Sequence, residues 1–219
     1  MTPMKNFLLS GALLLTAPAV LLPFSSTQGL AQTAGGQAVS GGPASPVAAL
    51  YSTLTMIQKQ GGSAPFGQRA QQLAPVVDRA FNLPTVLQTS VGLRYRSLPD
   101  AQKQQLEQVF RQFTVARYVS NFAPSTGDTF KVMPNPHPSA YGSDQIVQTQ
   151  VVSRSGSVTK IDYVMRQFPQ GWQAVDVLLD GHISQVAVQR SDFGSAVSTG
   201  DATSLIESLK KKIQSFSET

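Results

Sequence analysis

The chain has 219 residues, a net charge of +5 at neutral pH and no cysteine, enough length for one domain, or a small pair, with a buried core. The absent thiols exclude disulfides, thiolate nucleophiles and cysteine-based metal sites. The mild basic surplus lacks a cluster of Lys or Arg interleaved with aromatics, so it excludes a nucleic-acid footprint and leaves at most a preference for anionic surfaces.

The N-terminus reads as an export signal. Lys5 gives a positive start, the apolar run from Phe7 to Leu22 is interrupted by Thr16 and Pro18, and Gly29-Leu30-Ala31 supplies the small residues that a signal peptidase reads. We expect a signal peptide over residues 1–31, removed after Ala31. An uncleaved anchor is the competing reading, but the run is short for a bilayer span. Residues 32–45 are rich in Gly, Ser and Ala, have nothing to bury, and read as a flexible linker ahead of a folded domain over 46–216.

From Pro46 the apolar residues fall at helical spacing: Val47, Leu50, Tyr51, Leu54 and Ile57, ended by Gly61-Gly62. A second stripe, Leu73, Val76, Val77 and Phe81, contains Pro75 and predicts a kink or restart. Leu87, Val91 and Tyr95 predict a third helix over 83–98. The longest helix is expected from Pro99 or Asp100 to Phe122, with Leu106, Val109, Phe110, Phe113 and Ala116 on one side.

Beyond Gly127 the period changes to two. Strands are predicted at 129–133, 145–153, 157–168, 172–179 and 183–189, with hairpin turns at Arg154-Ser155-Gly156 and Pro169-Gln170-Gly171. The Pro-rich segment 134–142 is expected to be an unpaired loop. In the strand over 172–179, Trp172, Ala174, Asp176 and Leu178 alternate with Gln173, Val175, Val177 and Leu179. Helices are expected near 191–197 and over 201–216. Helices, then antiparallel strands, then helices predict one α+β domain in which both helical groups pack on a curved antiparallel sheet.

Asp176, Asp180 and His182, with Tyr163 on a neighbouring strand, form a constellation that could serve a small isomerase or hydratase. The simpler reading makes Asp176 a partner of backbone or of an arginine, and Asp180-Gly181-His182 a turn. The two histidines, His137 and His182, fall short of a zinc site. Neither a nucleophile elbow nor a phosphate-binding glycine loop is present, and no cofactor is implied. The stronger signal is apolar: Ile161, Tyr163 and Met165 alternate on one strand, Val175, Val177 and Leu179 on the next, and the helical stripes supply a facing layer. Pattern alone does not separate a filled core from a hollow one.

The segment Gly171–Phe193 carries a resemblance. An aromatic-led strand ends in Asp176-Val177, followed by Asp180-Gly181, Ser184 and a closing Arg190-x-x-Phe193. This order is similar to that of the MlaC family, toluene-tolerance-type periplasmic phospholipid-binding proteins of outer-membrane lipid transport, and the likeness runs from about Pro46 to about Ile213. It departs where Val175 replaces a usual aromatic and where Asp180-Gly181-His182-Ile183-Ser184 is one residue longer. The longer turn resembles the hopanoid-biosynthesis-associated branch, HpnM.

The resemblance implies an internal apolar pocket and a monomeric, non-enzymatic periplasmic carrier of phospholipid or hopanoid. Its implied partners are an inner-membrane ABC transporter complex and an outer-membrane lipoprotein/porin complex. The residues so implied to bind lipid are Leu87, Val91, Tyr95, Val109, Phe110, Phe113, Ile161, Tyr163, Met165, Val175 and Val177. Arg94, Arg96 and Arg117 are candidates for the pocket rim or for docking.

Overall fold

A computed structural model describes residues 41–140 and 142–218. The expected signal peptide and most of the linker lie outside the described residues. The chain forms α1 (Ala44–Lys59), α2 (Phe66–Ala80), α3 (Leu83–Val91) and α4 (Asp100–Asn121), then an antiparallel sheet, then α5 (Gln185–Ala196) and α6 (Thr203–Ser217). The strands are β1 (Thr129–Val132), β2 (His137–Pro138), β3 (Gln145–Val152), β4 (Val158–Phe168), β5 (Gly171–Leu179) and β6 (Ile183–Ser184). Their order is β1-β3-β4-β5-β6, with β2 pairing β3. This is the α+β architecture the period change predicts, helices packed on one curved antiparallel sheet.

The apolar stripes become the buried layer. Val47, Leu50, Tyr51, Leu54 and Ile57 of α1 are buried, as are Leu73, Val76 and Val77 of α2. Leu106, Val109, Phe110, Phe113 and Ala116 of α4 join them, and α4 packs against α2 and α6. These positions recur every three or four residues, so each helix turns one face inward. Helix α2 continues through Pro75.

Four expectations need correction. The helix over 83–98 ends at Val91, because Gly92 adopts φ +75°, and Gly92–Ser97 continues as a 3-10 turn. The Pro-rich segment 134–142 is not wholly unpaired: His137 and Pro138 pair with Ile146 and Gln145 of β3. The strand over 183–189 is only Ile183–Ser184, and Gln185 already opens α5, well ahead of Ser191. Ser184 is the reason, since its side chain accepts from the Ala187 N–H at 3.0 Å and caps the helix. Val186 and Val188 imitate alternation, yet Val186 is buried while Val188 remains 47% exposed.

The fourth correction is within β5. Tyr163 pairs with Val177, but Met165 pairs with Ala174, so two residues of β4 span three of β5. Val175 is the extra, unpaired residue of a bulge, and Ala174 and Val177 share the Tyr163 face. Val175 and Val177 therefore do not share one regular face.

Candidate functional site

Between the sheet and the helices lies an apolar cavity of about 110 Å3. Phe110 and Phe113 of α4 line it from the helical side, and Ile161, Val177 and Leu179 from the sheet. Phe81, Leu83 and Val86 form the wall at the joint of α2 and α3; Tyr118, Phe122 and Val186 complete the apolar lining. The helical spacing of α4 produces this arrangement: Phe110, Phe113, Arg117 and Asn121 recur at three- or four-residue steps along the strip that faces the sheet, and Thr114 and Tyr118 flank it.

Polar side chains gather toward solvent. Thr114, Arg117, Asn121, Asp176, Gln185 and Gln189 also line the cavity, and none of them is buried. Arg117 donates from Nη2 to Gln185 Oε1 at 3.0 Å, linking α4 to the first turn of α5. An apolar interior with an amide and guanidinium rim holds an amphiphile by its apolar part and leaves its polar end in water.

Beneath the cavity runs a chain of hydroxyls. The Tyr118 and Tyr163 hydroxyls are 3.3 Å apart, and Tyr163 donates to the Tyr51 hydroxyl, also at 3.3 Å. Tyr51 meets the Thr149 hydroxyl at 2.7 Å, and Thr149 donates to the Ile161 carbonyl. Burial pushes the Tyr163 phenol well above its ordinary range and raises Tyr51 and Tyr118 as well, so all three are neutral donors at neutral pH. Four mutually satisfied hydroxyls let a polar thread cross an apolar layer without an orphaned group.

The constellation of Asp176, His182 and Tyr163 is not assembled as a reacting set. Asp176 Oδ1 accepts from the backbone N–H of Val177 at 2.7 Å and of Val186 at 3.1 Å, while Oδ2 accepts from the Ser184 hydroxyl at 2.5 Å. Its carboxylate joins the end of β5 to the start of α5. His182 is exposed, with Nδ1 2.8 Å from the Asp180 carbonyl of its own turn. Tyr163 bonds the other tyrosines, and among the described residues no hydrogen bond joins any two of Asp176, His182 and Tyr163. Asp180, at φ +52°, and Gly181, at φ +78°, form the tight turn that their sequence predicts.

Of the sequence-predicted lipid-contacting residues, the structure brings Phe110, Phe113, Ile161 and Val177 to the cavity. Tyr163 and Met165 are buried in the core, Tyr163 in contact with the lining residues Phe81 and Tyr118. Leu87, Val91, Tyr95 and Val109 belong to the same buried core without lining the cavity, and the Tyr95 hydroxyl donates to Glu107 at 2.5 Å. Val175, the extra residue of the bulge, is buried but belongs neither to that core cluster nor to the cavity lining. Arg117 reaches the rim, whereas Arg94 donates to the Gly194 and Val197 carbonyls and caps the end of α5.

The residues missed by sequence are mainly Phe81, Tyr118, Phe122, Val186, Gln185 and Gln189. A helical wheel of α4 extended past Ala116 finds Tyr118 and Phe122. Gln185, Val186 and Gln189 become visible only once α5 is recognised as helix.

The sequence matches the MlaC protein family over residues 49–211, nearly the whole described domain. The chain belongs to the MlaC family. The fold agrees: a phospholipid-binding protein from Ralstonia solanacearum, solved in complex with a phospholipid, superposes with a TM-score of 0.62 at 18% sequence identity. The match covers 78% of this chain and 94% of that one. No curated protein matches this MlaC-family sequence. Among the described residues no helix is long and apolar enough to cross a membrane.

Proposed function

We propose that this MlaC-family protein is a periplasmic lipid carrier that shields acyl chains between its sheet and helices and shuttles phospholipid between membranes. The observation that carries this is the apolar cavity itself, lined by Phe110, Phe113, Ile161 and Val177 and rimmed by Arg117, Asn121, Gln185 and Gln189. A diacyl lipid exposes roughly 25–30 methylenes at about 0.8 kcal/mol each, a cost on the order of 20 kcal/mol that keeps free lipid out of water. A carrier needs an apolar lining and a polar rim, and no nucleophile. Asp176 and Tyr163, the groups a catalytic reading would use, are committed to bonds within the fold.

In this reading the chain is exported by the signal over residues 1–31, and it works as a monomer. It exchanges cargo with an inner-membrane ABC transporter complex and an outer-membrane lipoprotein/porin complex. The longer turn Asp180–Ser184 favours a second cargo, a hopanoid, within the same carrier role. The test is transfer of a fluorescent phosphatidylglycerol from quenched donor vesicles to acceptor vesicles. The transfer rate is expected to rise in proportion to added protein; a rate that stays at the protein-free value contradicts the proposal.

A further inference from the structure

Among the described residues that line the cavity, two are charged, Arg117 and Asp176. The fold satisfies only the acid. Asp176 has both carboxylate oxygens engaged, by the N–H groups of Val177 and Val186 and by the Ser184 hydroxyl. Its charge thereby answers the positive end of α5. Arg117 has no such partner: among the described residues no carboxylate lies within ion-pair distance of it. Other arginines of the domain are committed. Asp78 and Asp144 grip Arg111 and Arg166 through paired hydrogen bonds, and Arg94 is bound to two backbone carbonyls.

A guanidinium is a planar fork of N–H donors. The one hydrogen bond Arg117 makes among the described residues runs from Nη2 to Gln185 Oε1, a neutral acceptor, and leaves the rest of the fork uncommitted. One turn further along the same strip of α4, the Asn121 amide makes no hydrogen bond to a described residue. Arg117 is half-buried and Asn121 exposed. An unpaired cation and a free amide thus stand together where the apolar cavity meets water.

We propose that Arg117, with Asn121 beside it, is a subsite for the phosphate of a lipid headgroup, and that it ranks phosphate-bearing lipids above neutral amphiphiles with the same apolar body. The proposal rests on the carrier reading above and names the cargo that site prefers. Phe110, Phe113, Ile161 and Val177 meet only apolar chain or ring and do not make this distinction. A phosphate oxygen accepts the forked, charge-assisted hydrogen bonds that a guanidinium offers. A lipid hydroxyl brings no charge to meet it. The group recognised is the one shared by phosphatidylglycerol and phosphatidylethanolamine, and a hopanoid without phosphate ranks below both.

The test uses the mature chain and its variants Arg117→Gln, Arg117→Lys and Asn121→Ala. Each is incubated with vesicles of dioleoyl-phosphatidylglycerol holding a minor share of dioleoylglycerol, which has the same chains and no phosphate. Native mass spectrometry gives the ratio of the two lipids bound. Arg117→Gln is expected to lower the ratio of phosphatidylglycerol to dioleoylglycerol by about tenfold, as for one lost hydrogen bond between charged groups. Arg117→Lys keeps the charge and stays within about threefold of the wild type, and Asn121→Ala lowers the ratio by about threefold. Bound dioleoylglycerol is unchanged throughout, which a variant with a loosened fold would not show. Should Arg117→Gln hold no lipid at all, Asn121→Ala decides the matter. The wild-type ratio in both Arg117→Gln and Asn121→Ala overturns the subsite and leaves the carrier standing. An Arg117→Lys ratio as low as that of Arg117→Gln also overturns it, since the link to Gln185 rather than the charge would then set the ratio. Inorganic phosphate titrated into the delipidated chain in a calorimeter is expected to give no heat of binding. Saturable binding that Arg117→Gln abolishes would make free phosphate the ligand and overturn the headgroup assignment. A wild type that binds neither lipid overturns the carrier reading and the subsite together.

Discussion

Replacing Asp176 by Ala removes three hydrogen bonds at once: two backbone N–H donors, Val177 and Val186, and the Ser184 hydroxyl lose their acceptor. A bond to a charged acceptor contributes about 1.5–3 kcal/mol, and loss of a helix cap costs about 1 kcal/mol. The carboxylate is half-buried, so water recovers part of each bond and the three do not add. The expected loss is about 3 kcal/mol for Asp176→Ala and about 1 kcal/mol for Asp176→Asn, which keeps one acceptor oxygen. For a domain of this size that lowers the melting temperature by roughly 6–12 °C for the alanine variant. Urea unfolding followed by circular dichroism measures the loss, and lipid retention below the transition is expected to match the wild type. An alanine variant within about 0.5 kcal/mol of the wild type would refute the reasoning. So would a fully stable variant that no longer retains lipid, since that outcome gives Asp176 a direct part in the cavity it lines.

Three further outcomes follow from the same geometry. Tyr163→Phe removes the central hydroxyl of the Tyr118–Tyr163–Tyr51 chain and is expected to cost about 1 kcal/mol in urea unfolding, with no change in bound lipid. The alkaline limb of the stability profile tests the burial of that phenol. An unfolded tyrosine titrates near 10, while burial raises folded Tyr163 well above it. Between those values the unfolded chain has lost a proton the folded chain keeps, so stability is full below about pH 10 and then falls by about 1.4 kcal/mol per pH unit for this group. Tyr163→Phe should flatten the slope by that amount in melts at rising pH, and an unchanged slope would show the phenol to be solvated. Val177→Phe fills the cavity from the sheet side and is expected to lower lipid occupancy several-fold in native mass spectra while leaving the melting temperature within about 3 °C.

Much of this fold is legible because the helical stripes are long and regular. Val47 to Ile57 and Leu106 to Ala116 each state one buried face, and the shift to alternation beyond Gly127 states the sheet. What escapes local reading depends on distant partners. Ile183, Val186 and Val188 form a short apolar run that suits a strand, and only the Ser184 cap together with Asp176 across the turn decides for helix. The bulge at Val175 follows from register against β4, which no window of β5 contains. The site is harder still. Leu87 and Phe110 carry the same kind of apolar signal, yet Leu87 packs solidly and Phe110 faces a hollow. Hydrophobic periodicity reports which face is buried, and the position of the opposite layer decides whether that face is filled.

The most direct measurement is native mass spectrometry of the mature chain, exported to a bacterial periplasm and purified without detergent, followed by extraction and identification of what it holds. The carrier account predicts a stoichiometric mass adduct that extracts as phospholipid or hopanoid and exchanges with added vesicles. A bare mass that stays bare after incubation with phospholipid vesicles would contradict it.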